Sequence, residues 1–121
     1  MKITALIATS AGLLTPATLN AAPLSPVIQH QLQCFLSIST LIPSADEKTK
    51  RMGVLGSMFF AGEAFGADPK IDMTAALKQE AARLDDARVK ELLPKCGAEM
   101  NARGEQINAA GRALQSSAKA K

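Results

Sequence analysis

An all-α bundle of four or five helices, with one disulfide joining the first helix to the last, is what this sequence predicts. Apolar residues recur at helical spacing along most of the chain, and no segment shows the period-two alternation of a half-buried strand. Serine–proline, aspartate and proline signals cut the chain into helix-sized lengths. Two cysteines, Cys34 and Cys96, stand near opposite ends of the helical region.

The chain opens on a segment read as a cleavable secretory signal. Met1-Lys2 supplies a positive charge, Ile3 to Leu14 carries none, and Leu19-Asn20-Ala21 offers a small residue at the cut. Pro16 breaks the helix the apolar run would form. Cleavage is placed after Ala21, with Ala22 as the alternative. An amphipathic first helix of the domain fits less well, because the run has no polar face. No cysteine ends the signal, so a lipid anchor is not expected. The longest later apolar run, Met52 to Gly62, has 11 residues, too few to span a bilayer. The expected product is soluble and periplasmic or secreted. It has a helical domain over 22–116 and a frayed tail over 117–121.

Removal of Lys2 leaves 13 basic against 11 acidic residues, a formal net charge of +2. The signs interleave, whereas a nucleic-acid surface clusters its cations. With no Tyr or Trp and four Phe, the chain has few platforms for stacking bases. A domain of this size buries roughly two-thirds of its unfolded surface. Export favours pairing of Cys34 with Cys96 across 62 residues. Such a bridge is worth about 4 kcal/mol in the chain-entropy model. A reactive or metal-binding pair is the alternative. Neither cysteine lies in a C-x-x-C, and His30, the only histidine, supplies no ligand cluster by itself. No metal or cofactor is expected.

Ser25-Pro26 opens the first helix, with serine as cap and proline in the first turn. Val27, Ile28, Leu32, Phe35, Leu36 and Ile38 form its apolar stripe, and Pro43 ends it. Ser44 and Glu47 form a capping box for the second helix. Asp46–Lys50 and Glu47–Arg51 support that helix one turn apart, and Gly66 is its left-handed stop. Gly53, Gly56 and Gly62 each cost about 1 kcal/mol against alanine, so close approach of another backbone is expected there. Asp72 caps a third helix bearing Met73, Ala76, Leu77, Ala81 and Leu84. Asp85-Asp86 caps a short fourth, to Leu93. Pro94 begins the last, to about Ser116.

That last helix repeats every seven residues: Gly97, Gly104 and Gly111, then Met100, Ile107 and Leu114. Heptad spacing keeps both sets on one seam. Packing within the chain is the favoured reading. A homodimer seam, or a groove for another envelope protein, is the sharper one. Met58, Phe59, Phe60 and Phe65 form a candidate interaction patch. Phe59 and Phe60, about 100° apart on a helix, cannot both face one narrow core; burial of both in a bundle with helices on two sides is the favoured reading, and an apolar binding patch the alternative.

Chemistry has thinner support. His30 has no spacing that implies a catalytic triad. Asp46-Glu47 and Asp85-Asp86 sit where acidic residues complement helix dipoles, which explains them without acid–base work. Glu99 and Arg103 read as a surface pair. The segments Met58-Phe59-Phe60-Ala61-Gly62…Gly66, Cys96-Gly97-Ala98-Glu99-Met100 and Arg103-Gly104 resemble a group of small exported bacterial helical proteins. These have one cysteine pair and a late Cys-Gly-x-Glu-Met. The resemblance covers residues 34–112; it implies the fold and no activity. Likeness to periplasmic acid-stress chaperones is architectural only. The expected function is a non-enzymatic periplasmic binding or interaction domain. An acid-stress holdase is the alternative, and a small hydrolase using His30 the second.

Overall fold

The computed structural model describes residues 23–120, so the expected signal over 1–21 lies outside the described residues. Four helices and no strand are present among them: α1 Pro26–Ser39, α2 Glu47–Ala67, α3 Met73–Ala81 and α4 Asp86–Lys119. α1 is the hub. It packs along α2 and touches both α3 and α4, whereas α2 meets α4 only briefly.

Helix starts follow carboxylate and serine chemistry. Ser25 Oγ accepts from Ile28 N–H at 3.3 Å, with Pro26 in the first turn. Asp72 accepts from Ala75 N–H at 3.0 Å, and Asp85 from Arg88 N–H at 2.7 Å. The cap of α2 differs from the expected Ser44–Glu47 box. Asp46 takes the position, accepting from Thr49 N–H at 2.8 Å and Thr49 Oγ1–H at 2.7 Å. An ionised acceptor outbids a hydroxyl. These bonds, the side-chain one first, hold the Asp46 carboxyl below its ordinary pKa. The cap's contribution is therefore complete above the usual carboxylate range and is lost as pH falls through the lowered value. With Asp46 so engaged, Lys50 pairs with Glu47 at 3.2 Å instead of Asp46.

Helix ends depart further from expectation. α1 stops at Ser39, and i→i+3 bonds from Leu41, Ile42 and Ser44 carry the chain past Pro43. Ser39 and Thr40 hydroxyls donate back to the carbonyls of Leu36 and Ser37, and residues before proline avoid the α region. α2 runs through Gly66 to Ala67, and no glycine among the described residues has positive φ. Asp68 ends it, its side chain turning back to Lys70 N–H at 3.0 Å. The expected fourth and fifth helices are one continuous helix with Pro94 inside it. Proline removes one helical bond at a cost of about 3 kcal/mol. Here it sits on an exposed face, where water reaches the freed carbonyl. Glu91 also ties the turns on either side, bonding Arg88 at 3.0 Å and Lys95 at 2.7 Å. These partners, Lys95 foremost, lower the Glu91 pKa. α4 then continues to Lys119, past Ser116.

The core has two parts. Cys34, Ile38, Phe60, Leu92 and Cys96 form one, flanked by Phe35, Phe59, Leu84, Leu93 and Met100. Ile28, Leu32, Ala64 and Ala76 form the other, closed by Leu24, Ile71, Met73 and Leu77. Val27, expected in the α1 stripe, is exposed. Two of the four α2 glycines have the close neighbours their cost requires. A Cβ on Gly53 would stand 2.9 Å from Ile42 N; one on Gly56 would stand 2.6 Å from Ile38 Cγ2 and 3.0 Å from Met100 Sδ. Gly62 faces open space. We expect Gly53→Ala and Gly56→Ala each to destabilise by about 1–3 kcal/mol through overpacking. Gly62→Ala should stabilise by up to about 1 kcal/mol. Urea unfolding of the oxidised protein measures all three.

Candidate functional site

Cys34 and Cys96 are joined, with Cα atoms 5.6 Å apart, and both are fully buried. The bridge ties the middle of α1 to the first third of α4. His30, one turn before Cys34, does not stand alone as expected. Its Nε2 lies 2.7 Å from Glu99 Oε2 and 3.6 Å from Cys34 Sγ. The carboxylate can only accept, so Nε2 carries the proton. Glu99 therefore serves His30 rather than Arg103, which instead bonds Gln106 at 3.1 Å. This pair was readable in part. Given the bridge, His30 at i−4 of Cys34 and Glu99 at i+3 of Cys96 fall on the same two helix faces.

The candidate patch divides. Phe60 is fully buried, while Phe59 is half-buried against the same cluster, their rings edge to face at 4.9 Å. Met58 (67% exposed) and Phe65 turn to solvent, with Leu55 beside them. Leu55, Met58 and Phe65, with Gly62 among them, lie opposite the buried face of α2.

The α4 seam divides too. Met100 belongs to the chain's own packing, and with Gly97, Ile38, Leu41, Met52 and Leu93 it lines a small apolar cavity of about 160 Å³, although a Cβ on Gly97 would itself meet nothing within 4 Å. Beyond Met100 the expected intramolecular packing is absent. Ile107 is 70% and Leu114 73% exposed, and no atom lies within 4 Å of a Cβ built on Gly104 or Gly111. The buried side chains of α4, Leu92 and Cys96, lie at the bridge, and its contact with α2 is brief. Farther along, an open cleft of about 370 Å³ lies between Phe59 and Glu63 on one side and Arg103, Gln106, Ile107 and Ala110 on the other. Residues 101–119 extend as an arm about 28 Å long.

One polar cluster was missed by sequence reasoning. Glu80, fully buried on α3, accepts from Gln33 Nε2 of α1 at 3.0 Å and from Arg83 at 3.3 Å. Gln33 Oε1 accepts in turn from Arg88 of α4 at 3.4 Å. The pattern held a signal for it: Glu80 lies one turn from Ala76, Leu77 and Leu84, inside the apolar stripe of this segment. Among the described residues no helix is long and apolar enough to cross a membrane. No family model matches the chain, and neither does any curated protein or solved structure at a significant level.

Glu80 knits three helices without touching the bridge. Glu80→Ala should destabilise by about 2 kcal/mol, because it strands the Gln33 amide and the Arg83 guanidinium. Glu80→Gln, which can still accept from Gln33, should cost less. Thermal and urea unfolding distinguish them.

Proposed function

We propose that this chain is a non-enzymatic interaction domain of the periplasm, reached by way of the signal over 1–21, and that it docks through the arm of α4. The observation that carries this reading is the heptad seam left open beyond Met100. Monomers seldom hold large apolar side chains in water along a regular stripe. Ile107 and Leu114 do so here, and the outer face of α2 adds Leu55, Met58 and Phe65.

The occupant that the seam fits is a second copy of this chain. Laid antiparallel, Gly104 of one arm faces Leu114 of the other, and Ile107 faces Gly111. The two-fold axis repeats both pairings, so each large side chain meets a bare backbone. The neighbouring positions Asn108, Ala110, Gln115 and Ser117 carry no charge, so nothing repels at close approach. An envelope protein offering a similar helix face would use the same surface.

Light scattering and sedimentation of oxidised residues 22–121 test the reading. We expect a concentration-dependent dimer. Ile107→Lys with Leu114→Lys should abolish it while leaving the helical circular dichroism and the unfolding midpoint in place. Gly111→Leu should also abolish it, although leucine favours helix. A monomer at every concentration that also captures no envelope protein would overturn the reading.

A further inference from the structure

The bridge stands among other ligating groups. His30 Nε2, Cys34 Sγ and a Glu99 carboxylate oxygen lie within 4.8 Å of one another, and Cys96 Sγ is bonded to Cys34 Sγ. One nitrogen, two sulfurs and one oxygen thus converge from two helices, through the spacings His30-x₃-Cys34 and Cys96-x₂-Glu99. While the bridge is intact this is not a metal site, because disulfide sulfur has no thiolate charge. We propose that reduction of the bridge turns the cluster into a tetrahedral zinc site, with His30 Nε2, Cys34 Sγ, Cys96 Sγ and a Glu99 oxygen as its four ligands.

The donor set suits the ion. Zn²⁺ takes thiolate, imidazole and carboxylate ligands in four-coordinate closed sites. The surroundings suit it as well. Both sulfurs are fully buried beside Ile38, Phe60 and Leu92, where a pair of bare thiolates would be costly and a dication offsets that cost. The His30 and Glu99 side chains are 42% and 29% exposed, so the ion has a route in from one side. The steps balance. A dithiol reductant gives two electrons and two protons to the bridge, leaving two thiols, and itself becomes a disulfide. Zn²⁺ then displaces both thiol protons to solvent. The imidazole binds in its neutral form through Nε2, its one proton passing by way of solvent from Nε2, where it faces Glu99, to Nδ1. The metal replaces the bridge as the tie between α1 and α4.

The test uses the full mature chain, reduced anaerobically by a water-soluble phosphine, which takes its oxygen from water and becomes the phosphine oxide. Zn²⁺ is titrated in competition with a chromogenic chelator, and Co²⁺ serves as the spectroscopic probe. We expect one equivalent of Zn²⁺ on the reduced chain and none on the oxidised one. Co²⁺ should show sulfur-to-metal charge transfer and the intense visible bands of tetrahedral coordination. His30→Ala and Glu99→Gln should each weaken Zn²⁺ by at least about tenfold, the lower end of what even an outer partner is worth. Should the reduced chain lose its helical signal, Zn²⁺ is expected to restore it, since metal binding is then folding. Absence of stoichiometric binding, failure to restore the helix, or unchanged affinity in both variants would overturn the proposal.

Discussion

The Cys34–Cys96 bridge fixes where α4 meets the rest of the molecule, and much of the architecture follows from that single tether. α4 has 34 residues, yet its buried side chains are Leu92 and Cys96, with Leu93, Gly97, Glu99 and Met100 partly covered around them. The helix is therefore held over its first half and free over its second. A tether about 4 kcal/mol strong in the chain-entropy model is comparable with the stability of a small domain. It allows a modest core to hold a helix whose far end contributes nothing to burial.

The tether works because α1 is already seated. α1 and α2 approach closely at Gly53 and Gly56, where the turn before Pro43 and the Ile38 side chain occupy the space of absent Cβ atoms. That approach fixes Ile38 beside Phe60 and places Cys34 one turn away, facing Cys96. The Glu80–Gln33–Arg88 chain of hydrogen bonds holds the opposite flank. The network fixes orientation more than it adds stability, since buried ionic groups are satisfied at a desolvation cost.

Most of this was legible in the sequence, and the failures have physical causes. Helix identity, the Ser25 and Asp72 caps and the glycine contacts at Gly53 and Gly56 could be read because each is local or implied by a local cost. The bridge followed from the expected export and the count of two cysteines. Three readings failed where two local signals competed: Asp46 over Ser44 as cap, Asp68 over Gly66 as stop, and continuation through Pro94 over a break. The His30–Glu99 pair and the partners of buried Glu80 depend on the mutual rotation of helices far apart in sequence. Periodicity gives each helix a face but not the face it meets. The exposed half of the α4 seam escaped for the same reason, because a heptad reads alike whether its partner lies inside the chain or outside it.

The energetics of the free arm separate those two cases. Gly104 and Gly111 each cost the helix about 1 kcal/mol against alanine. At Gly53 and Gly56 that cost is matched by a neighbour that needs the room. Along the arm nothing within the chain occupies the space, so the monomer gains nothing from either glycine. The same stretch leaves Ile107 and Leu114 in water at the intervening heptad positions. Two features unfavourable in isolation share one face and one period. In the proposed antiparallel pairing each would relieve the other: the bare backbone would receive the large side chain, and the large side chain would leave water. A helix shaped only by its own chain's stability would replace the glycines with alanine and both apolar residues with polar ones. The arm does the opposite at all four positions, and the proposed partner helix would make all four favourable together.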